Sequence, residues 1–154
     1  MFEIRRADID DIQEIKQLFR ETILNVNRKD YTTAQVECWS ARGNDDNVWK
    51  ERLKEQYFII AITRNIIVGF AALKMDGYLN SLFVHKDYQN IGVASSLLSE
   101  IERYAERNNL RILTADVSIT ARPFFEKKGY LVMKQQIVDI GVKMSNYKMQ
   151  KELK

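Results

Sequence analysis

The stretch LFVHKDYQNIGVASSLL, residues 82–98, decides how this chain folds. Leu82-Phe83-Val84 is an apolar run that reads as the end of a buried strand. His85 to Tyr88 is a polar connection. From Ile91 onward apolar residues fall at 91, 94, 97, 98, 101 and 105, the spacing of one helical face. A strand, a short loop and a glycine-bearing helix start make a place to hold an anion. The first helical N–H groups have no partner inside the helix, and the helix dipole adds partial positive charge there. Gly92, without a Cβ, lets an anion approach the backbone. An ordinary helix N-terminus with a tolerated glycine has the same spacing.

Upstream, Tyr57 to Thr63 is nearly unbroken apolar sequence, a strand buried on both faces. Arg64-Asn65 makes a tight turn into a hairpin strand over 66–75, and Asp76-Gly77 turns into the strand 78–84. Nearer the N-terminus, residues 2–6 form a short strand and Asp8 caps a helix over about 9–26. Thr32 and Gln35 have capping-box spacing for a short helix to Ala41, and a further helix runs through Glu55. Downstream, the helix of 91–107 breaks at Asn108-Asn109 and a strand follows over 112–117. A late helix starts at Ser118 or Thr120, tolerates Pro123 in its first turn and ends at Gly129. Two last strands, about 130–139 and 142–152, turn near Gly141. This order predicts an α/β (α+β) fold, a mixed sheet covered by helices, as one domain over 1–154.

Composition narrows the function classes. The chain has 154 residues, 45% hydrophobic and 29% charged, ordinary for a soluble globule. No apolar run approaches the ~20 residues of a membrane span. The acidic, periodic start MFEIRRADIDD does not read as a signal peptide. Cys38 is alone, which excludes an internal disulfide and a cysteine-rich metal site, and a cytoplasmic location is the natural reading. The net charge of +3 is spread among acidic residues, against a nucleic-acid footprint and compatible with a ligand carrying several phosphates.

Two motifs carry a resemblance. Gln89-x-x-Gly92-x-Ala94 after Leu-Phe-Val resembles the acyl-CoA loop of the GNAT superfamily of N-acetyltransferases. Ala121-Arg-Pro-Phe124-Phe125-Glu126-Lys-Lys-Gly129-Tyr130, in the right order downstream, is similar to that family's late helix, A-x-x-F-Y-E-x-x-G-F. The resemblance implies a GNAT fold: a mixed, mostly antiparallel sheet of about seven strands with four to five helices. In it the strands at 78–84 and 112–117 are parallel neighbours that splay apart, and the pantetheine arm of acetyl-CoA lies in the gap. It implies no metal. It implies that the backbone of Leu82, Phe83 and Val84 pairs with the pantetheine amides. Backbone N–H groups of Gln89, Asn90, Ile91, Gly92, Val93, Ala94 and Ser95 would hold the pyrophosphate, and a backbone N–H near Phe83 the oxyanion. Ser118 stands where the family often has a cofactor-contacting asparagine. Phe125, near the thioester end, stands where many members have a tyrosine that acts as general acid, so that role is vacant. Residues 27–56 correspond to the variable lid over the acceptor, where Tyr31 and Trp39 would line the pocket. Asn80 would orient a water or the acceptor.

Acyl transfer to an amine also needs a base. Strand alternation puts Thr114, Asp116 and Ser118 on one face, with Leu113, Ala115 and Val117 on the other. An aspartate inside a strand is disfavoured. Buried near a cleft, Asp116 would have the raised pKa of a general base; the alternative is a structural aspartate hydrogen-bonded to neighbouring backbone. Tyr147 either replaces the missing acid or packs. His85 reads as a solvated loop histidine, and Tyr130 as packing. Cys38 is outside the motif and reads as a small packing residue, which favours direct attack in a ternary complex. The expected activity is acetyl transfer from acetyl-CoA to a primary amine of a small molecule or peptide, by a monomer or homodimer, with no nucleic acid or membrane partner. The alternative is a non-catalytic acyl-CoA-binding sensor or interaction module, kept open by the missing tyrosine.

Overall fold

The computed structural model describes residues 2–154. Their elements run β1 (Glu3–Arg6), α1 (Ile12–Asn25), α2 (Thr33–Ala41), α3 (Asp46–Glu55), β2 (Tyr57–Thr63), β3 (Ile66–Leu73), β4 (Leu79–Val84), α4 (Val93–Arg107), β5 (Ile112–Val117), α5 (Arg122–Lys127), β6 (Leu131–Asp139) and β7 (Lys143–Glu152). Short 3-10 turns at Ile9–Asp11 and Asn27–Asp30 flank α1. The caps explain the helix starts. The Asp8 side chain accepts from the Asp10 N–H while Asp11 accepts from the Asp8 N–H at 2.8 Å. The Thr32 and Gln35 side chains each accept from the other's backbone N–H, at 3.1 and 2.8 Å. Asp45 caps α3. Neither candidate starts the late helix: α5 begins at Arg122 after Ala121, which makes no side-chain cap bond, and Ser118 Oγ accepts from the Ala121 N–H at 3.1 Å in the turn before it. Thr120 instead donates to Asp30 Oδ2 at 2.7 Å.

The strands form two antiparallel sheets rather than one, β1-β2-β3-β4 and β5-β7-β6. They touch at a parallel bridge between Tyr78 and Thr114, beside which the Thr114 N–H donates to the Gly77 carbonyl at 3.0 Å. Gly77 is needed there. Its φ is +94°, and a Cβ would stand 2.5 Å from the Ile112 carbonyl oxygen. Past this closed end β4 and β5 diverge, which is the splay expected between 78–84 and 112–117.

Each face of the sheets has its own apolar layer. On one, α4 lays Val93, Leu97, Leu98, Ile101 and Ala105 against Val68, Ala71, Leu113, Ala115 and Val117, with Phe125 of α5. On the other, α1 to α3 bury Ile15, Phe19, Ile23 and Trp49 against Phe58, Ile60 and Phe70. Trp49 is a core residue, its Nε1–H donating to the Gly43 carbonyl at 2.8 Å. The helical face expected from Ile91 starts two residues later. Asn90 (φ +60°) and Gly92 (φ +95°) both sit in the left-handed region, so the chain turns before the helix begins, and Ile91 is 52% exposed.

Candidate active site

The loop between β4 and α4 is built from its main chain. Gly92 caps α4 with no side-chain bond, and the first intrahelical donor is the Ser96 N–H, on the Gly92 carbonyl at 3.0 Å. The N–H groups of Val93, Ala94 and Ser95 therefore point out of the helix end. A Cβ at Gly92 would meet no atom within 4 Å, so the space in front of that turn is open. This is a cradle that a diphosphate fits. The Gln89 side chain faces the other way: its Nε2 donates to the carbonyls of Val84 and His85, at 2.8 and 3.3 Å, and ties the loop to the end of β4. His85 belongs to the same turn, its Nδ1 accepting from the Asp87 N–H at 3.0 Å.

The ladder fixes which groups of β4 face the gap. The His85 N–H donates to the Val68 carbonyl, and β3 pairs Gly69 with Val84, Phe70 with Phe83 and Ala71 with Leu82. Antiparallel pairs alternate between bonded and non-bonded. Phe83 therefore turns its N–H and C=O to β3, while Leu82 and Val84 turn theirs to β5. The Phe83 N–H is therefore taken up within the sheet, and the β4 N–H groups nearest it that face β5 are those of Leu82 and Val84. The Val84 carbonyl already accepts from Thr22 Oγ1, at 2.9 Å, and from Gln89. The open groups are thus the Leu82 N–H and C=O and the Val84 N–H. The Phe83 ring lies on the helical-lid side, against Phe19, Phe70 and Trp39, with centroids at 4.9, 5.4 and 6.3 Å.

The lid is clamped to the second sheet. Tyr31 is 8% exposed; its hydroxyl donates to the Ser145 carbonyl at 2.7 Å and accepts from the Ile119 N–H at 2.9 Å. Burial pushes that phenol's pKa up. Asn27 donates to Ser118 Oγ at 3.4 Å, and Gln35 to the Lys143 carbonyl at 2.9 Å. Ser118 Oγ thus accepts from both Ala121 and Asn27, and only its O–H remains to donate to a ligand. Trp39 bridges Tyr31 and Phe83 at the lid edge. Asn80 is tied to Gln56 Oε1 at 3.3 Å.

The two carboxylate and phenol candidates are kept apart by alternation. Asp116 is the register partner of Lys148, and Tyr147 that of Val117, so they occupy opposite faces of one sheet. Tyr147 stands on the α5 side with the Arg122 guanidinium 4.5 Å over its ring. Phe125 is 4% exposed and packs edge-on against Phe124 and Tyr130. Tyr130 is core, its hydroxyl donating to Glu102 at 2.8 Å. Asp116 is exposed rather than buried. It is also not held by backbone. Its Oδ2 accepts from the Tyr78 hydroxyl at 2.9 Å and its Oδ1 from Gln136 Nε2 at 2.7 Å.

These residues line a cavity of about 310 Å³ at the closed end of the splay, together with Thr114, Lys134 and Lys148. Burial, then the bond to Asp116, pushes the Tyr78 pKa far up, so its phenol stays a proton donor. Cross-strand from Gln136, Asn146 has a buried Oδ1 with no hydrogen-bond partner among the described residues. Sequence reading passed over Tyr78, Gln136 and Asn146. The one available signal was the turn Asp76-Gly77, which brings Tyr78 to the start of the strand that meets β5. Among the described residues no group of three or more His, Cys, Asp or Glu is placed to hold a metal, and no helix is long and apolar enough to cross a membrane.

The site as a whole is a splayed sheet with a main-chain turn at its open end and a cavity at its closed end. The family model of the acetyltransferase (GNAT) domain matches residues 27–151, and the chain belongs to that family. It is 32% identical over 148 residues to the uncharacterized N-acetyltransferase YafP of Escherichia coli K12, covering 96% of this chain and 93% of that protein. A crystal structure of a GCN5-related N-acetyltransferase from Rhodopseudomonas palustris superposes with a TM-score of 0.95 at 32% identity, over 98% of this chain and 95% of that one. The PaiA N-acetyltransferase of Thermoplasma acidophilum, solved with coenzyme A, shares the fold at a TM-score of 0.86 and 19% identity, over 99% of both chains.

Proposed function

We propose that the protein is an acetyl-CoA-dependent N-acetyltransferase, with direct attack by a primary amine on the bound thioester. The observation that carries this is the edge of β4: main-chain groups at Leu82 and Val84 face a gap whose open end is the Asn90–Gly92 cradle. The coenzyme A bound to the Thermoplasma acidophilum protein supports the same reading.

When bound, acetyl-CoA supplies the activated acyl group. The N–H groups from Gly92 to Ser95 hold its diphosphate with help from the helix dipole. Leu82 and Val84 align the pantetheine arm, and one of their N–H groups faces the oxygen on which charge develops. Trp39 and Tyr31 wall the acceptor side, with Asn80 further along β4. Asp116, which accepts from the Tyr78 hydroxyl and from Gln136, draws the ammonium in and takes its proton, directly or through water. Tyr147 shares the α5 side with Phe125 and is the candidate proton donor to the thiolate, which is in any case a tolerable leaving group.

Calorimetry with acetyl-CoA, followed by thiol release with a panel of primary amines, tests the proposal. Heat of binding and amine-dependent thiol release are expected; well-folded protein that takes up no acetyl-CoA overturns it. The buried Phe125 favours a second reading, a non-catalytic acyl-CoA sensor, whose signature is binding with no turnover of any amine.

A further inference from the structure

The cavity beside Tyr78 carries more charge than proton transfer requires. Asp116, Lys148 and Lys134 stand in a row across β5, β7 and β6, each the register partner of the next. Adjacent strands lie about 4.8 Å apart, so the row spans roughly 10 Å. Asp116 and Lys148 are opposite charges directly across from one another, yet they do not pair. The aspartate oxygens are turned to Tyr78 and Gln136. Among the described residues neither Lys148 nor Lys134 has a carboxylate within 4.0 Å. Two like charges facing each other on a sheet destabilise it unless an anion lies between them. Beyond Tyr78, the half-buried Arg52 lies 5.0 Å over the Trp49 ring and also has no carboxylate partner among the described residues. Its burial, then the charge of Arg42, lowers its pKa, as for a cation without a counter-ion.

The geometry points to an acceptor that is itself a zwitterion: a small amine bearing a carboxylate, with its ammonium at Asp116 and its carboxylate at Lys148 and Lys134. A polyamine or a cationic peptide tail would meet the lysines as like charges. The inference rests on the transferase reading. The amine N–C bond forms as the thioester C–S bond breaks, the amine proton passes to Asp116 or solvent, and the thiol leaves.

The test uses matched probes: amino acids of increasing chain length, their carboxamides, and diamines of the same length. The full-length protein should use the acids with a kcat/KM about tenfold above the carboxamides, the contribution of two partly solvated charges. K134E combined with K148E should reverse the order toward diamines while leaving the KM for acetyl-CoA unchanged. Equal use of acids and carboxamides, a wild-type preference for diamines, or an acid preference that survives the double charge reversal overturns the inference and leaves the transferase reading standing. Should no amine be turned over although acetyl-CoA binds, the transferase reading fails. Calorimetry of the coenzyme A-loaded protein with the same pairs then reads the charge assignment alone: acid-specific heat supports it and equal heats overturn it.

Discussion

The two ends of the splay between β4 and β5 are built from different materials. At the open end the ligand-facing groups are main-chain N–H groups aimed by two left-handed residues, Asn90 and Gly92, and the side chains nearby are occupied in fixing the loop. At the closed end they are side chains from strands far apart in sequence, with Tyr78, Asp116 and Gln136 in one hydrogen-bonded chain. On the proposed function, the main-chain cradle recognises what every coenzyme A ester shares. A side-chain cavity can change with each substitution, and so can serve a particular acceptor. On that proposal, the difference separates cofactor binding from acceptor choice within one gap.

Under that separation, substitutions at one end leave the other untouched. Gly92→Val should have the largest effect. A β-branched residue at φ +95° costs roughly 1–2 kcal/mol, and relaxing the turn scatters the converging N–H groups. Acetyl-CoA affinity, read by calorimetry, should fall on the order of a hundredfold. Since a Cβ there meets no neighbour, the fold should persist by circular dichroism. Asp116→Asn should lower turnover by about tenfold to a hundredfold with acetyl-CoA affinity unchanged. An unchanged rate removes Asp116 as the proton acceptor, and weakened cofactor binding breaks the comparison itself.

Tyr31→Phe sharpens it. The variant loses the bond to Ser145 and the acceptor for the Ile119 N–H, about 1–3 kcal/mol of stability. A melting point lower by several degrees and a raised acceptor KM are expected, with acetyl-CoA affinity unchanged; a melting point equal to wild type would show that the clamp holds nothing.

The smallest effect lies outside both ends. Burial raises the Asp11 pKa, but the two bonds from Arg5, at 2.9 and 3.0 Å, and the Asp8 N–H outweigh it and hold the carboxyl below its ordinary value. A carboxyl with a depressed folded pKa contributes stability above its unfolded value, about pH 4, and loses it as pH falls through the folded value. With Arg5 42% exposed the contribution is under about 1 kcal/mol. Urea midpoints of wild type and D11N should therefore converge below pH 4 and differ at neutral pH, with both binding functions of the variant intact.

Legibility followed sequence distance. The cradle was readable because Leu82 to Leu98 contains it whole, and the caps at Asp8 and Thr32 because a capping box spans four residues. Ile91 was misassigned to the helical face because periodicity cannot register a left-handed turn interrupting it. Which peptide groups of β4 stay open near Phe83 was not legible, because sequence alternation says which face a side chain takes, not which neighbour a peptide group bonds. For Asp116 the face was legible and the environment was not: Tyr78 and Gln136 reach it from two other strands. Tyr147 and Asp116 look adjacent in role until the register between β5 and β7 puts them on opposite sides.

By itself the sequence determined the family, the element order and the glycine-bearing turn before α4, because each is encoded by residues within a few turns of one another. Tertiary structure alone decided that the strands part into two sheets after Tyr78, which peptide groups of β4 remain open, and which charges share the cavity. Those depend on strand pairing, and pairing joins residues such as 78 with 114 and 116 with 148 that no local pattern connects.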